Sequence, residues 1–135
     1  MRSRIIVGSL LLLGALAAGT IATSGDGVAP PRQWAIANFV DPVLVTDQML
    51  MGRYLIVHDD AKMARGEACT TFYRFDSVRG PQEEVASFHC SPAYRKVAGT
   101  LTLTQTDPVV GPGIARLTEY QFAGDCEAHG IPAKP

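Results

Sequence analysis

The chain is short of charge, and it lacks the motifs that announce most chemistries. Asp, Glu, Lys and Arg together make up 19% of its 135 residues, low for a cytosolic domain. Of the basic residues, only Arg95 and Lys96 are adjacent outside the N-terminal region. A nucleic-acid surface needs a basic stripe to displace counterions, so that class of partner is excluded. There is no Cys-x-x-Cys, no His-x-His, no internal repeat and no long low-complexity tract. Tryptophan occurs once, at Trp34, and cysteine three times, at Cys69, Cys90 and Cys126. With no cysteine before Cys69, anchoring through a lipid-modified cysteine near the leader is excluded too.

What is present begins with that leader. Arg2 and Arg4 form a positive start, Ile5 to Leu16 is apolar, and Ala15-Leu16-Ala17 offers small residues to a signal peptidase. The pattern predicts a signal peptide over residues 1–22, a flexible spacer over 23–32 and a single β domain over 33–135, with the product periplasmic or secreted. The uncharged run Ile5 to Thr23 is close to the ~20 residues of a membrane-spanning helix. An uncleaved inner-membrane anchor is therefore the alternative.

The rest reads as strands. Gln33 to Val40 alternates, with Trp34 and Ile36 on one face and Ala35, Ala37 and Phe39 on the other, before Asp41-Pro42 breaks it. Val43 to Val45 and a turn at Thr46-Asp47-Gln48 lead into Leu50 to His58, apolar on both faces near its end and so expected to be a central strand. Asp59 to Glu67 suits either a short helix capped by Asp59 or Asp60, or a long hairpin loop, which is the preferred reading. Cys69 to Asp76 and Glu83 to Cys90 are strands around a Gly80-Pro81 turn. Ser91 to Gly99 carries the marks of a short helix, with Ser91 as N-cap, Pro92 first and Gly99 as stop. Thr100 to Thr106 and Ile114 to Phe122 complete the set. The last has imperfect alternation that suggests a β-bulge. Asp107 to Gly113 reads as a loop, and Gly124 to Pro135 as an irregular tail. The fold class is all-β: a small antiparallel β-sandwich or partly open β-barrel of about six strands, with at most one or two short helices.

In an oxidising compartment thiols tend to pair. Cys69 opens one strand and Cys90 closes the next, so antiparallel pairing through the Gly80-Pro81 turn puts them side by side. A Cys69–Cys90 disulfide is expected, worth about 3 kcal/mol in the chain-entropy picture. It leaves Cys126 over. Cys90–Cys126 is the competing pair.

Three constellations bear on chemistry. His58, His89, His129, Met49, Met51, Met63 and the cysteines are soft ligands of the types copper takes. Met51 and His58, however, are seven apart on a strand and face opposite ways, as do His89 and Cys90. A metal site would need residues from separate strands. Cys90 beside His89 makes no catalytic dyad for the same reason. Glu119, Asp125 and Glu127 near His129, and Asp59-Asp60, read as a solvated rim without the loop of a calcium site. Tyr120 and Phe122 suit either a binding patch or the core.

The stretch from Val43 to Val57, with Met49-Leu50-Met51-Gly52-Arg53-Tyr54-Leu55-Ile56 at its centre, resembles small exported bacterial β-proteins of Acidobacteria-like genomes, which carry a strand–turn–Leu-Pro-Ala-Gly-Thr-Tyr–strand element. Leu117-Thr118-Glu119-Tyr120 and the closing Gly130-Ile131-Pro132 resemble their ends. Leu50-Met51 stands here where that pattern has Pro-Ala, and the cysteines are no part of it. The resemblance implies a β fold and export, with no catalytic residues. The function expected is a non-enzymatic binding or envelope-associated module without a cofactor, its partner a protein or small ligand of the cell envelope. The alternative is a periplasmic copper- or other metal-binding protein using His and Met.

Overall fold

A computed structural model of the chain describes residues 32–107 and 113–135. The expected signal peptide over 1–22, nearly all of the spacer over 23–32 and most of the loop from Asp107 to Gly113 lie outside the described residues.

The alternating residues from Arg32 onward form β1 (Arg32–Val45), which turns back at Thr46-Asp47 into β2 (Gln48–Asp59). Trp34 is 67% exposed, whereas Ala37 and Phe39 are buried, as the alternation requires. Asp41-Pro42 does not end the strand. Phe39 pairs with Gly52 and Val43 with Leu50, so Val40, Asp41 and Pro42 bulge out against the single residue Met51. A bulge is where a residue without an N–H can sit inside a strand. Thr46 adopts φ 55 in the tight turn, and its carbonyl accepts from Arg116 Nη1 at 2.6 Å.

The polar connection after β2 is helical, not the hairpin loop preferred from sequence. Helix α1 (Asp60–Ala64) starts because Asp59 accepts from the Lys62 N–H at 3.1 Å, while Arg32 Nε holds its other oxygen at 2.9 Å. Strands β3 (Thr70–Asp76) and β4 (Gly80–Phe88) then pair antiparallel as expected, but the turn between them is Ser77 to Arg79, and Gly80 and Pro81, expected in the turn, already pair with Asp76 and Phe75.

The next segment corrects the sequence reading. Ser91 to Tyr94 is not a helix but an edge strand, β5 (Ser91–Tyr94). Its partner is β8 (Glu127–Gly130), in what was expected to be an irregular tail, with Pro92 opposite His129. The cap residues of a short helix serve equally well at a strand edge once a partner strand is available. Between them run β6 (Thr102–Thr106) and β7 (Ala115–Gln121), antiparallel; Thr104 pairs with Glu119 and Gln105 with Leu117, so Thr118 is an extra residue in β7, the strand in which a bulge was expected.

Among the described residues these strands make one open sheet of eight, in the order β4-β3-β2-β1-β7-β8-β5, with β6 also on β7. The strands number more than the six or so expected. The sheet is mixed, because Val43 and Leu44 of β1 run parallel to Ala115 and Arg116 of β7. It curls so that its inner face closes on itself: β3 touches β7 through Thr70 and Tyr120, and β2 touches β8 through His58 and His129. Phe72, Phe88, Tyr120, Phe122, Ile56 and Leu117 fill the interior. Each such side chain contributes about 1.5–3 kcal/mol on burial. Among the described residues no helix is long and apolar enough to cross a membrane.

Candidate metal centre

Four strand ends converge at one end of this core. His58 stands near the end of β2, Cys69 immediately before β3, Cys90 between β4 and β5, and His129 within β8. Strand parity turns two of them inward: His58 shares the face of Tyr54 and Ile56, and His129 lies opposite Tyr120. All four are almost completely buried.

The two imidazoles pack ring against ring, centroids 4.0 Å apart and tilted 36°. Tyr120 also stacks on His129, centroids 5.0 Å apart. Cys69 Sγ and Cys90 Sγ are 2.8 Å apart, and the Cys90 N–H donates to Cys69 Sγ at 3.1 Å. Cys90 Sγ lies 3.7 Å from His129 Nδ1 and 3.8 Å from the thioether of Met63 on α1. One ligand atom each from His58, Cys69 and Cys90 falls within 4.8 Å of the others.

Three ring nitrogens here have no hydrogen-bond partner: Nδ1 and Nε2 of His58, and Nε2 of His129. Asp60 Oδ1 is 3.2 Å from His58 Nδ1, but the two are not aligned for a hydrogen bond. A buried polar atom left without a partner costs about 1–3 kcal/mol.

Burial favours the neutral forms of the two imidazoles and of the Cys90 thiol. It lowers the basicity of His58 against the pull of Asp60 and Asp59. It also brings His129 down to about 4, helped by its histidine neighbour. The Cys90 thiol is pushed up to about 12, by burial first and by its contact with Cys69 second. Neutral imidazole is the form that ligates metals. The thiols must lose their protons to do so.

Of the residues singled out from sequence as metal ligands, His58 and His129 meet; His89 and Met51 do not join them. Met51 is 60% exposed on the outer face. His89 is exposed, with Nδ1 on the Glu67 carbonyl at 2.9 Å and 3.9 Å from Cys69 Sγ, a rim position. Cys69 and Cys90 are neighbours as expected but are not at bonding distance, since a disulfide spans about 2.05 Å. Cys126 is exposed and takes no part in the cluster. Tyr120 and Phe122 are buried core residues and not a surface patch, because they face the sheet's interior, where Tyr120 packs on Phe72 and Phe122 on His129. The carboxylates form no shared site either: Glu119 pairs with Arg95 at 2.8 Å, and Asp125 accepts from Gln33 at 2.8 Å.

Met63 beside Cys90 and the stacking of the two histidines are not legible as a group, because the sequence prefers a loop where α1 stands and an irregular tail where β8 stands. The one local signal was parity, which put His58 on the inner face. No known protein family, curated protein or solved structure matches the chain.

Proposed function

We propose that this protein is an exported, non-enzymatic binding module whose ligand is a thiophilic metal ion. Cys69, Cys90 and His58 hold the ion, and His129 is the fourth donor. The observation that carries this reading is the set of unpartnered imidazole nitrogens buried against two sulfurs. Ligation gives one nitrogen of a coordinating ring a partner and so removes part of a standing cost to the fold. A closed set of protein donors suits a structural or storage site, since catalytic sites keep a position open to solvent.

The donor set of two sulfurs and two imidazoles suits zinc. Two thiolates and two neutral imidazoles around a divalent ion sum to zero charge, the arrangement that burial penalises least. Copper(I) is the second reading, favoured by the Met63 thioether beside Cys90.

The test is competition against chromophoric chelators. Reduced, metal-free protein is titrated with Zn(II), and separately with Cu(I) under anaerobic conditions. Stoichiometric binding, lost in Cys90→Ser and His58→Ala and kept in Cys126→Ser, is expected. Binding that survives both losses, or no stoichiometric binding of either ion to folded protein, overturns the reading.

A further inference from the structure

The sulfurs that would hold the ion are also the two that an oxidising compartment would join. We infer that Cys69 and Cys90 form a redox gate on the metal centre: as a dithiolate they hold the ion with His58, and as a disulfide they release it. The inference rests on the proposed site and adds its regulation.

The geometry places the pair between the two states. Two thiolates on one tetrahedral ion, each at about 2.3 Å from it, stand about 3.8 Å apart. A disulfide brings the sulfurs to about 2.05 Å. They are 2.8 Å apart here. Each sulfur reaches either state by moving about half an ångström or less. That distance is within the reach of side-chain torsion. The backbone need not shift, because β3 and β4 are already paired up to Thr70 and Phe88, one and two residues short of the cysteines. The states exclude each other: the ligand is the thiolate, and a disulfide carries none.

The step balances as thiol–disulfide exchange with a small-molecule or protein disulfide. The thiolate of one cysteine attacks that disulfide, forming a mixed disulfide and expelling one thiolate. The second cysteine sulfur then displaces the other. The cysteine pair loses two electrons, the oxidant gains them, and its two thiolates take protons from solvent. The ion leaves with its charge unchanged.

The experiment uses full-length Cys126→Ser protein, which removes the exposed third thiol. Zinc-loaded protein is treated with oxidised glutathione while a chromogenic chelator reports free Zn(II), and mass spectrometry reports the loss of two hydrogens and the linked peptides. Zinc release in step with formation of a Cys69–Cys90 disulfide, reversed by dithiothreitol, is the expected result. A disulfide formed with zinc still bound overturns the gate. So does tight zinc binding in protein that never forms the disulfide; the site itself then stands. Absence of both zinc and copper(I) binding in the reduced protein overturns site and gate together, whatever the cysteines do. Copper(I) binding without zinc binding overturns the zinc gate alone.

Discussion

The hydroxyls of Thr70 and Tyr120 hydrogen-bond to each other inside the core, joining β3 to β7 across the closed inner face. Both residues are fully buried. Burial also raises the Tyr120 hydroxyl well above the ordinary tyrosine range, so it stays protonated. Tyr120→Phe leaves Thr70 with a stranded hydroxyl and is expected to cost about 1–3 kcal/mol of stability. Thr70→Val strands the tyrosine instead. The double variant, with neither group to satisfy, is expected to lose less than the two singles added together. Urea unfolding of all four proteins checks this, and strict additivity would show that the bond does not couple the strands.

Metal binding to the folded state raises stability by mass action. At zinc held near 100 times the dissociation constant the gain is about 2.7 kcal/mol. The reduced protein is expected to melt higher with zinc than without. Cys90→Ser is expected to show no such shift, and calorimetry with and without zinc compares the two.

Gly52 sits opposite Phe39 beside the β1 bulge with φ +96, while a Cβ built there meets nothing within 4 Å. Gly52→Ala is expected to cost about 1–2 kcal/mol from backbone strain alone. Gly99, which also has open space but no left-handed backbone, supplies the control. Gly99→Ala is expected to be neutral or slightly stabilising in the same denaturation assay.

Asp76 closes the β3–β4 turn by accepting from the N–H groups of Val78 at 2.9 Å and Arg79 at 2.8 Å. The Arg79 and Val78 amides hold its carboxyl below the usual carboxylate range. Its folded pKa is therefore below the unfolded one. The stability it adds is present above the unfolded value, about pH 4, and is lost as pH falls through the folded one. Melting temperatures of the native chain and Asp76→Asn are expected to differ most near about pH 5 and to converge toward about pH 2. A difference that stays constant over that range would remove the carboxylate from the account.

The strand readings rested on parity, which is local. Trp34 and Ile36 out, Ala37 and Phe39 in, and His58 inward with Ile56 all follow from a period of two along one strand. The β3–β4 hairpin was legible because a short connection, Ser77 to Arg79, leaves adjacent strands little choice of partner, and Cys69 met Cys90 as a consequence. Where a single segment admitted two local structures, the choice went wrong. Ser91-Pro92 caps a helix as readily as it starts an edge strand, and Asp59 begins a turn of helix as readily as a loop.

The amino-acid order by itself determined that the domain is pleated, which side chains share a face of their own strand, and that Cys69 and Cys90 are neighbours. Tertiary structure alone decided that β8 pairs with β5 and β7, that β1 runs parallel to β7, and that the curled sheet lays His129 on His58. The physical reason is range. Alternation records only which side of its own strand a residue takes. Which strands adjoin, and which inner residues then face one another, depends on how the whole apolar surface is buried at once.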